Sequence, residues 1–393
     1  MNRFALLVRN IQFQSLAISQ VLTVLSNNLL VPVLPIYLKL QNYSDTQIGI
    51  IMGISAFGAL VIRPLAGLIV DRRGSRQSLL GGQLFGSMCA AAFLWADSFL
   101  GFLAIRFCQG LSFAFQGTGA ITFASCVETP QNMATAISLF TVFTMIGSGL
   151  GTGLAPTVYT YAGFYPLVIM SLLALGAAWS IMTFRAQSIP PCPGEGRVSY
   201  LTVVRNRDVL SPTVCLFASN FAFGTAFTFV PLVALANNIP HYSLFYIAFT
   251  IAVVSTRLSV QFIAGRFSPE RAASWGGVLN ALCVLLLGLK ASVGTFIIAG
   301  LLVGLGFGVI FPSLTLYVVT HTNPANKGAA LSALSAAGDV GSALGAAVLG
   351  LVAEHFGYSA LFYLSAGVVA ICTYHFYVTL VRGRPKSAPV TET

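Results

Sequence analysis

Apolar residues in this chain do not alternate with polar ones. They run in blocks of about 20, separated by short polar or charged stretches, and a block of that length crosses a hydrocarbon layer as a helix. Twelve segments can be marked, at 14–38, 47–70, 78–96, 99–127, 133–160, 162–184, 211–236, 243–265, 272–290, 292–320, 328–353 and 357–381. The even number puts both termini on one side. The polar stretch 185–210 contains Ile189-Pro190-Pro191-Cys192-Pro193-Gly194 and reads as a linker. It separates residues 1–184, an N-terminal bundle of six helices, from 211–393, a second bundle of six ending in a short basic tail. The predicted fold class is an all-α membrane protein.

The second half repeats the first. A constant shift of 194 residues carries Arg63 onto Arg257, Gly82 onto Gly276, Phe102 onto Phe296, Gly110-Leu111 onto Gly304-Leu305 and Phe113 onto Phe307. The same shift carries Pro130 onto Pro324, Gly147-Ser148 onto Gly341-Ser342 and Gly163 onto Gly357. Only the first helices of the two halves need small extra shifts.

Composition agrees with the blocks. The chain is 56% hydrophobic and 8% charged, far below the roughly 25% charged residues with which a soluble domain covers itself. The net charge of +10 would suggest nucleic acid in a soluble protein, but here the charge sits in loops and sets orientation. Fifteen of the 20 Lys+Arg fall on one side of the predicted spans, so that side and both termini read as cytoplasmic. The seven cysteines are scattered singly and read as packing residues, not disulfides or metal ligands. No pair among the four histidines has metal-ligand spacing, so no metal and no cofactor is expected. No cleavable leader pattern stands at the N-terminus.

The run Arg63-Pro64-Leu65-Ala66-Gly67-Leu68-Ile69-Val70-Asp71-Arg72-Arg73-Gly74-Ser75-Arg76 turns an apolar helix into a dense basic loop. Arg63, Gly67 and Asp71 are spaced by four and share one face. The glycine is expected to admit a neighbouring helix, Asp71 to accept hydrogen bonds from a helix N-terminus or pair with the loop arginines, and Gly74 to reverse the chain. This run resembles the loop G-x-x-x-D-R-x-G-R-R between the second and third helices of the major facilitator superfamily. Gly67, Asp71, Arg72, Gly74 and Arg76 match it, and Ser75 departs. The resemblance implies a transporter of two parallel six-helix repeats that works by alternating access, with this loop as a cytoplasmic latch.

Three arginines, Arg63, Arg106 and Arg257, and one carboxylate, Asp339, fall inside spans. Charges at membrane depth normally face a cavity or a partner. Asp339 lies about 18 Å beyond Lys327 along its helix, and Arg63 about 12 Å before Asp71, measured from the same face. The resemblance packs the second and eleventh helices together, so an Arg63–Asp339 pair that stabilises one state and couples protons is expected. Burial and a neighbouring arginine act oppositely on the carboxylate, so its proton occupancy can depend on state. The alternative is a static pair that only orients helices. Arg106 shares a helix face with Gln109 and Gln116. Arg106-Phe107-Cys108-Gln109-Gly110 is similar to a fourth-helix motif, R-x-x-Q-G, linked to proton transfer in exporters of the superfamily; an arginine bonded to backbone carbonyls is the structural alternative.

Gly147 and Gly151 form a close-packing seam, with Pro156 kinking its outer end. The run resembles the antiporter motif of drug–proton exchangers, although Ala155 replaces a glycine and Tyr159-Thr160 a later pair. In the family the first, fourth, seventh and tenth helices line the path. Asn27, Gln109, Gln116 and Asn220 are therefore expected to line it, along with Arg257 and the phenylalanines of the seventh segment. Three buried arginines against one acid bias the interior towards anionic substrates.

These features predict proton-coupled efflux of a small organic molecule, a drug or metabolite and possibly an anionic metallophore or siderophore, by a monomer in lipid at a bacterial cytoplasmic (inner) membrane. Uptake by symport is the alternative, and a channel or receptor a remote one. An enzyme is not expected, since the spans offer no nucleophile–base or metal constellation.

Overall fold

A computed structural model describes residues 10–127, 133–187, 206–263, 268–322 and 327–382. These residues are helical almost throughout, and no strand occurs among them. The helices are α1 (Ile11–Leu29), α2 (Leu34–Leu40), α3 (Asp45–Arg73), α4 (Ser75–Ala92), α5 (Phe99–Cys126) and α6 (Met133–Ala162). They continue as α7 (Phe164–Phe184), α8 (Arg207–Ala236), α9 (Ser243–Ile263), α10 (Pro269–Leu289), α11 (Val293–His321) and α12 (Lys327–Phe376), the last ending in a π turn, Tyr377–Arg382.

Helix starts follow local chemistry. Ser44 and Gln47 form a capping box on α3, and Asn10, Ser98, Asn206 and Ser292 cap α1, α5, α8 and α11 through their side chains. The first predicted segment is split. Residues 30–33, with Pro32, separate α1 from α2, and Pro35 opens the second piece where its missing N–H does no harm. Conversely, the last two predicted segments fall within α12, which breaks at Gly357. Gly163 and Gly357, 194 positions apart, both take positive φ, 88° and 81°, a conformation that side chains resist.

Among the described residues nine helices are long and apolar enough to cross a membrane. The count falls short of the twelve predicted segments for identifiable reasons. Both arms of α12 count as one, α4 opens with the polar run Ser75-Arg76-Gln77-Ser78, and α9 is described as an apolar helix only over Ser243–Ser259. The predicted linker 185–210 lies largely outside the described residues, at 188–205.

In the first half α1 packs on α6 and α7, and α5 on α3 and α4. In the second, the first arm of α12 packs on α8, while α11 packs on α9 and α10. Two seams join the halves, α3 against α12 and α6 against α9. Glycines set these approaches, and the contacts recur. A side chain on Gly110 would meet the Ser55 carbonyl, and one on Gly304 the Phe249 carbonyl, both partners again 194 apart. Gly147 and Gly151 lie against the Val21 and Leu25 carbonyls of α1, giving the seam expected of them. Pro156 lies inside α6.

Candidate functional site

Arg63 and Asp339 meet between the halves. Arg63 Nε lies 2.7 Å from Asp339 Oδ2 as an ion-pair contact, and Nη2 donates to Oδ1 at 3.0 Å, the one of the two contacts with hydrogen-bond geometry. The arginine's reach spans the difference in depth between the two positions. No other cationic side chain among the described residues forms an ion pair with Asp339.

The pair borders a cavity of about 320 Å³ that takes its walls from both halves. Met52, Ser55, Ala59 and Arg63 present one stripe of α3, while Asn220, Gly224 and Thr228 present one stripe of α8 at spacings of four. Phe223 and Phe227, stacked at 3.9 Å, form an apolar wall, and Asn28, Arg106 and Phe113 close the opposite side. A second cavity of about 210 Å³ shares Asn28 and Phe113 and runs along α1 and α5 past Gln20, Asn27 and Gln116. Asn27 Nδ2 donates to Gln116 Oε1 at 2.8 Å, and Gln116 Nε2 to Ser112 Oγ at 2.7 Å and the Gly82 carbonyl at 3.0 Å. These amides bridge α1, α4 and α5.

Arg106 is buried and bound on several sides. Nη1 donates to Gln109 Oε1 at 2.7 Å, Nη2 to Ser55 Oγ at 2.9 Å and the Met52 carbonyl at 3.3 Å, and Nε to the Ile51 carbonyl at 3.4 Å. With no carboxylate among these partners, the arrangement ties α5 to α3. Gln109 is taken up by this network and lines neither cavity. Arg257 also lies outside both linings, against the expectation that it faces the path. It sits on α9, and its buried Nε has no hydrogen-bond partner among the described residues. The position equivalent to Asp339 is Met145 on α6, the helix packed against α9, so the repeat supplies no acid there. Replacing Arg106 with alanine strands Gln109, Ser55 and two carbonyls. A stability loss of at least about 2 kcal/mol is expected, read as a lower melting temperature of the purified protein. Lost transport with unchanged melting would instead make the arginine functional.

The predicted latch behaves differently from its reading. Gly74 reverses the chain at φ 91°, and Arg76 donates to the Met182 and Thr183 carbonyls at 3.1 and 2.7 Å, closing the end of α7. Gly67, however, admits no close helix, since a Cβ there meets nothing within 4 Å. Asp71 and Arg72 are exposed, and Asp71 forms no ion pair among the described residues. The reason lies in the α3–α12 seam, which is tight only at its other end. There a side chain on Gly49 or Gly53 would strike the Ala346 or Ala343 carbonyl, Thr46 N donates to Glu354 Oε2 at 3.1 Å, and Tyr358 donates to Asp45 at 3.1 Å. The halves meet near Asp45 and stand apart near Asp71.

A family model, Major Facilitator Superfamily, matches residues 16–289 and again 213–393. The chain belongs to the major facilitator superfamily. It is thus a multi-pass integral membrane transporter. An MFS-type transporter of Burkholderia mallei is 29% identical over 342 residues, covering 84% of this chain and 81% of that protein. The staphylopine export protein of Staphylococcus aureus is 22% identical over 376 residues, covering 91% and 94%. Among solved structures, the human organic anion transporter MFSD10 superposes with a TM-score of 0.70 at 16% identity, covering 93% of this chain and 99% of that one. The nucleoside transporter NupG superposes at 0.78 and 12% identity, covering 94% and 100%. These superpositions show the major facilitator fold.

Within this major facilitator protein a hollow of about 1070 Å³, larger than the central cavity, lies elsewhere. It lies between α10 and the second arm of α12, and Trp275 and Tyr374 are each 67% exposed along it. Its charged residues, Arg271 and Arg382, are both basic, so it lacks opposed charges and belongs to the outer surface. The central cavity is therefore the candidate site. Sequence reading missed Thr228 and Ser55 there; their spacing from Asn220 and Arg63 was the available signal. Among the described residues no three potential metal ligands cluster. Cys89, Cys108, Cys215, Cys283 and Cys372 are free, whereas Cys126 is disulfide-bonded, correcting the reading of all cysteines as packing residues.

Proposed function

We propose that the protein is a proton-coupled exporter of a small organic molecule bearing an anionic group, working by alternating access as twelve helices in two parallel six-helix repeats. The observation that carries this is the Arg63–Asp339 pair, which joins the halves at the wall of a central cavity. A carboxylate that must choose between a proton and an arginine gives proton occupancy a structural consequence, as coupling requires. Two arginines and one acid line the cavity, which favours anions. The export protein among the relatives supports the direction, and the organic anion transporter among the structural neighbours supports the substrate charge. The repeat is supported by the 194-residue recurrence of contacts and by Gly163 and Gly357. We assign the basic side of the loops to the cytoplasm and the protein to a bacterial inner membrane, as a monomer, with Gly67, Asp71, Arg72, Gly74 and Arg76 engaging as a latch in another state of the cycle. Gly147, Gly151 and Pro156 form the antiporter-like helix.

Uptake by symport is the second reading, favoured by Ala155 standing where the antiporter motif has glycine before Pro156. Comparison of spent medium with cell extract, with the gene deleted and restored at two proton gradients, separates the two. Export predicts a compound that accumulates in deleted cells, disappears from their medium and follows the gradient. A compound left unconsumed in the medium of deleted cells would establish import.

A further inference from the structure

Proton exchange and a purely anionic substrate pull against each other at this site. Arg63 and Asp339 are ion-paired with each other. An anion that takes Arg63 leaves the Asp339 carboxylate facing a second negative charge, a situation relieved when Asp339 binds a proton. Anion and proton then enter together, which is symport. A purely cationic substrate takes Asp339 and competes with the proton, giving exchange, but it leaves Arg63 without its partner in a partly desolvated wall. Arg106 cannot rearrange cheaply to help, because its guanidinium is occupied by Gln109, Ser55 and the Met52 carbonyl. The other polar groups in the lining, Asn28 of α1, Ser55 of α3, Asn220 and Thr228 of α8 and Ser342 of α12, are neutral. Asp339 is thus the one carboxylate and Arg63 the one releasable cation in the lining.

We infer that the transported molecule is a dipolar ion, carrying a carboxylate that takes Arg63 and a protonated amine that takes Asp339, seated between the two side chains. This inference rests on the exchange reading above and deepens it. The loaded state then needs no proton, because both charges of the pair exchange one partner for another of the same sign. Protonation of Asp339 removes the site for the amine, so substrate and proton exclude each other, and one proton is exchanged for each substrate. The stacked Phe223 and Phe227 offer an apolar wall for the carbon skeleton between the charges.

The test uses three probes with one aromatic skeleton: phenylalanine (dipolar), 3-phenylpropionate (anionic) and 2-phenylethylamine (cationic). Each is titrated against the melting temperature of the purified full-length protein, at about pH 6 and about pH 8. Phenylalanine is expected to stabilise most at the higher pH, with apparent affinity falling by at most about tenfold per pH unit on acidification, the limit for one competing proton. In Asp339→Asn its advantage over phenylpropionate disappears, while Asp339→Glu keeps it, which separates a lost charge from a misfolded protein. Strongest binding of phenylethylamine, weakened by acid, would overturn the dipolar assignment and leave exchange standing. Strongest binding of phenylpropionate, strengthened by acid, would overturn both. If no probe shifts melting, the assignment also fails.

Discussion

Asp339→Asn is expected to reduce gradient-driven transport at least about tenfold. Asparagine has nearly the same shape and can still accept a hydrogen bond from Arg63, so the seam between α3 and α12 survives. What disappears is the group that can hold a proton in one state and an arginine in another. Reconstituted into vesicles with an imposed pH difference, the variant should fail to concentrate substrate. Asp339→Glu should recover part of the coupling. Concentrative transport by the asparagine variant at the original rate would reduce the ion pair to a clasp between helices.

Gly49→Val is expected to exclude the protein from the conformation described above. The glycine lies directly against the Ala346 carbonyl, a backbone atom that cannot swing aside, and Gly350 crosses α3 at the same level. Overpacking of this kind typically costs about 1–3 kcal/mol, which shifts a two-state equilibrium by about 5- to 150-fold. Transport that must pass through this state should fall accordingly. A Thr46→Cys and Glu354→Cys pair, placed where Thr46 N meets Glu354, reports the seam directly and should lose its cross-linking. Gly67→Val is the control, because its side chain meets nothing in this conformation and should leave the cross-link unchanged. Equal cross-linking in Gly49→Val would mean that the seam tolerates the extra bulk.

The two substitutions also mark where the sequence was readable. The length of the apolar blocks, the spacing of Gly147 and Gly151, the recurrence of Gly163 at Gly357, and the depths of Arg63 and Asp339 from one face were all legible in the chain. Helix rise converts position into depth, and glycine spacing identifies a face that can approach another. Family resemblance then supplied which two helices face each other, and the ion pair followed.

What local rules could not supply is the identity of the opposite surface. In lipid both the packed and the exposed faces of a helix are apolar, so periodicity says which residues share a face but not what covers it. Gly67 and Gly49 lie on the same helix, yet one faces open space and the other a carbonyl. Arg106 and Arg257 look alike as buried arginines, yet α3 offers the first its carbonyls and Ser55, while the second stands away from both central cavities with its Nε unbonded among the described residues. The sequence by itself determined a helical membrane protein, its doubled pattern and the depth of its charges, because these depend on chain-local chemistry. The surroundings of Arg106 and Arg257 and the end at which the halves close were decided only by tertiary structure, because they depend on surfaces tens to hundreds of residues apart.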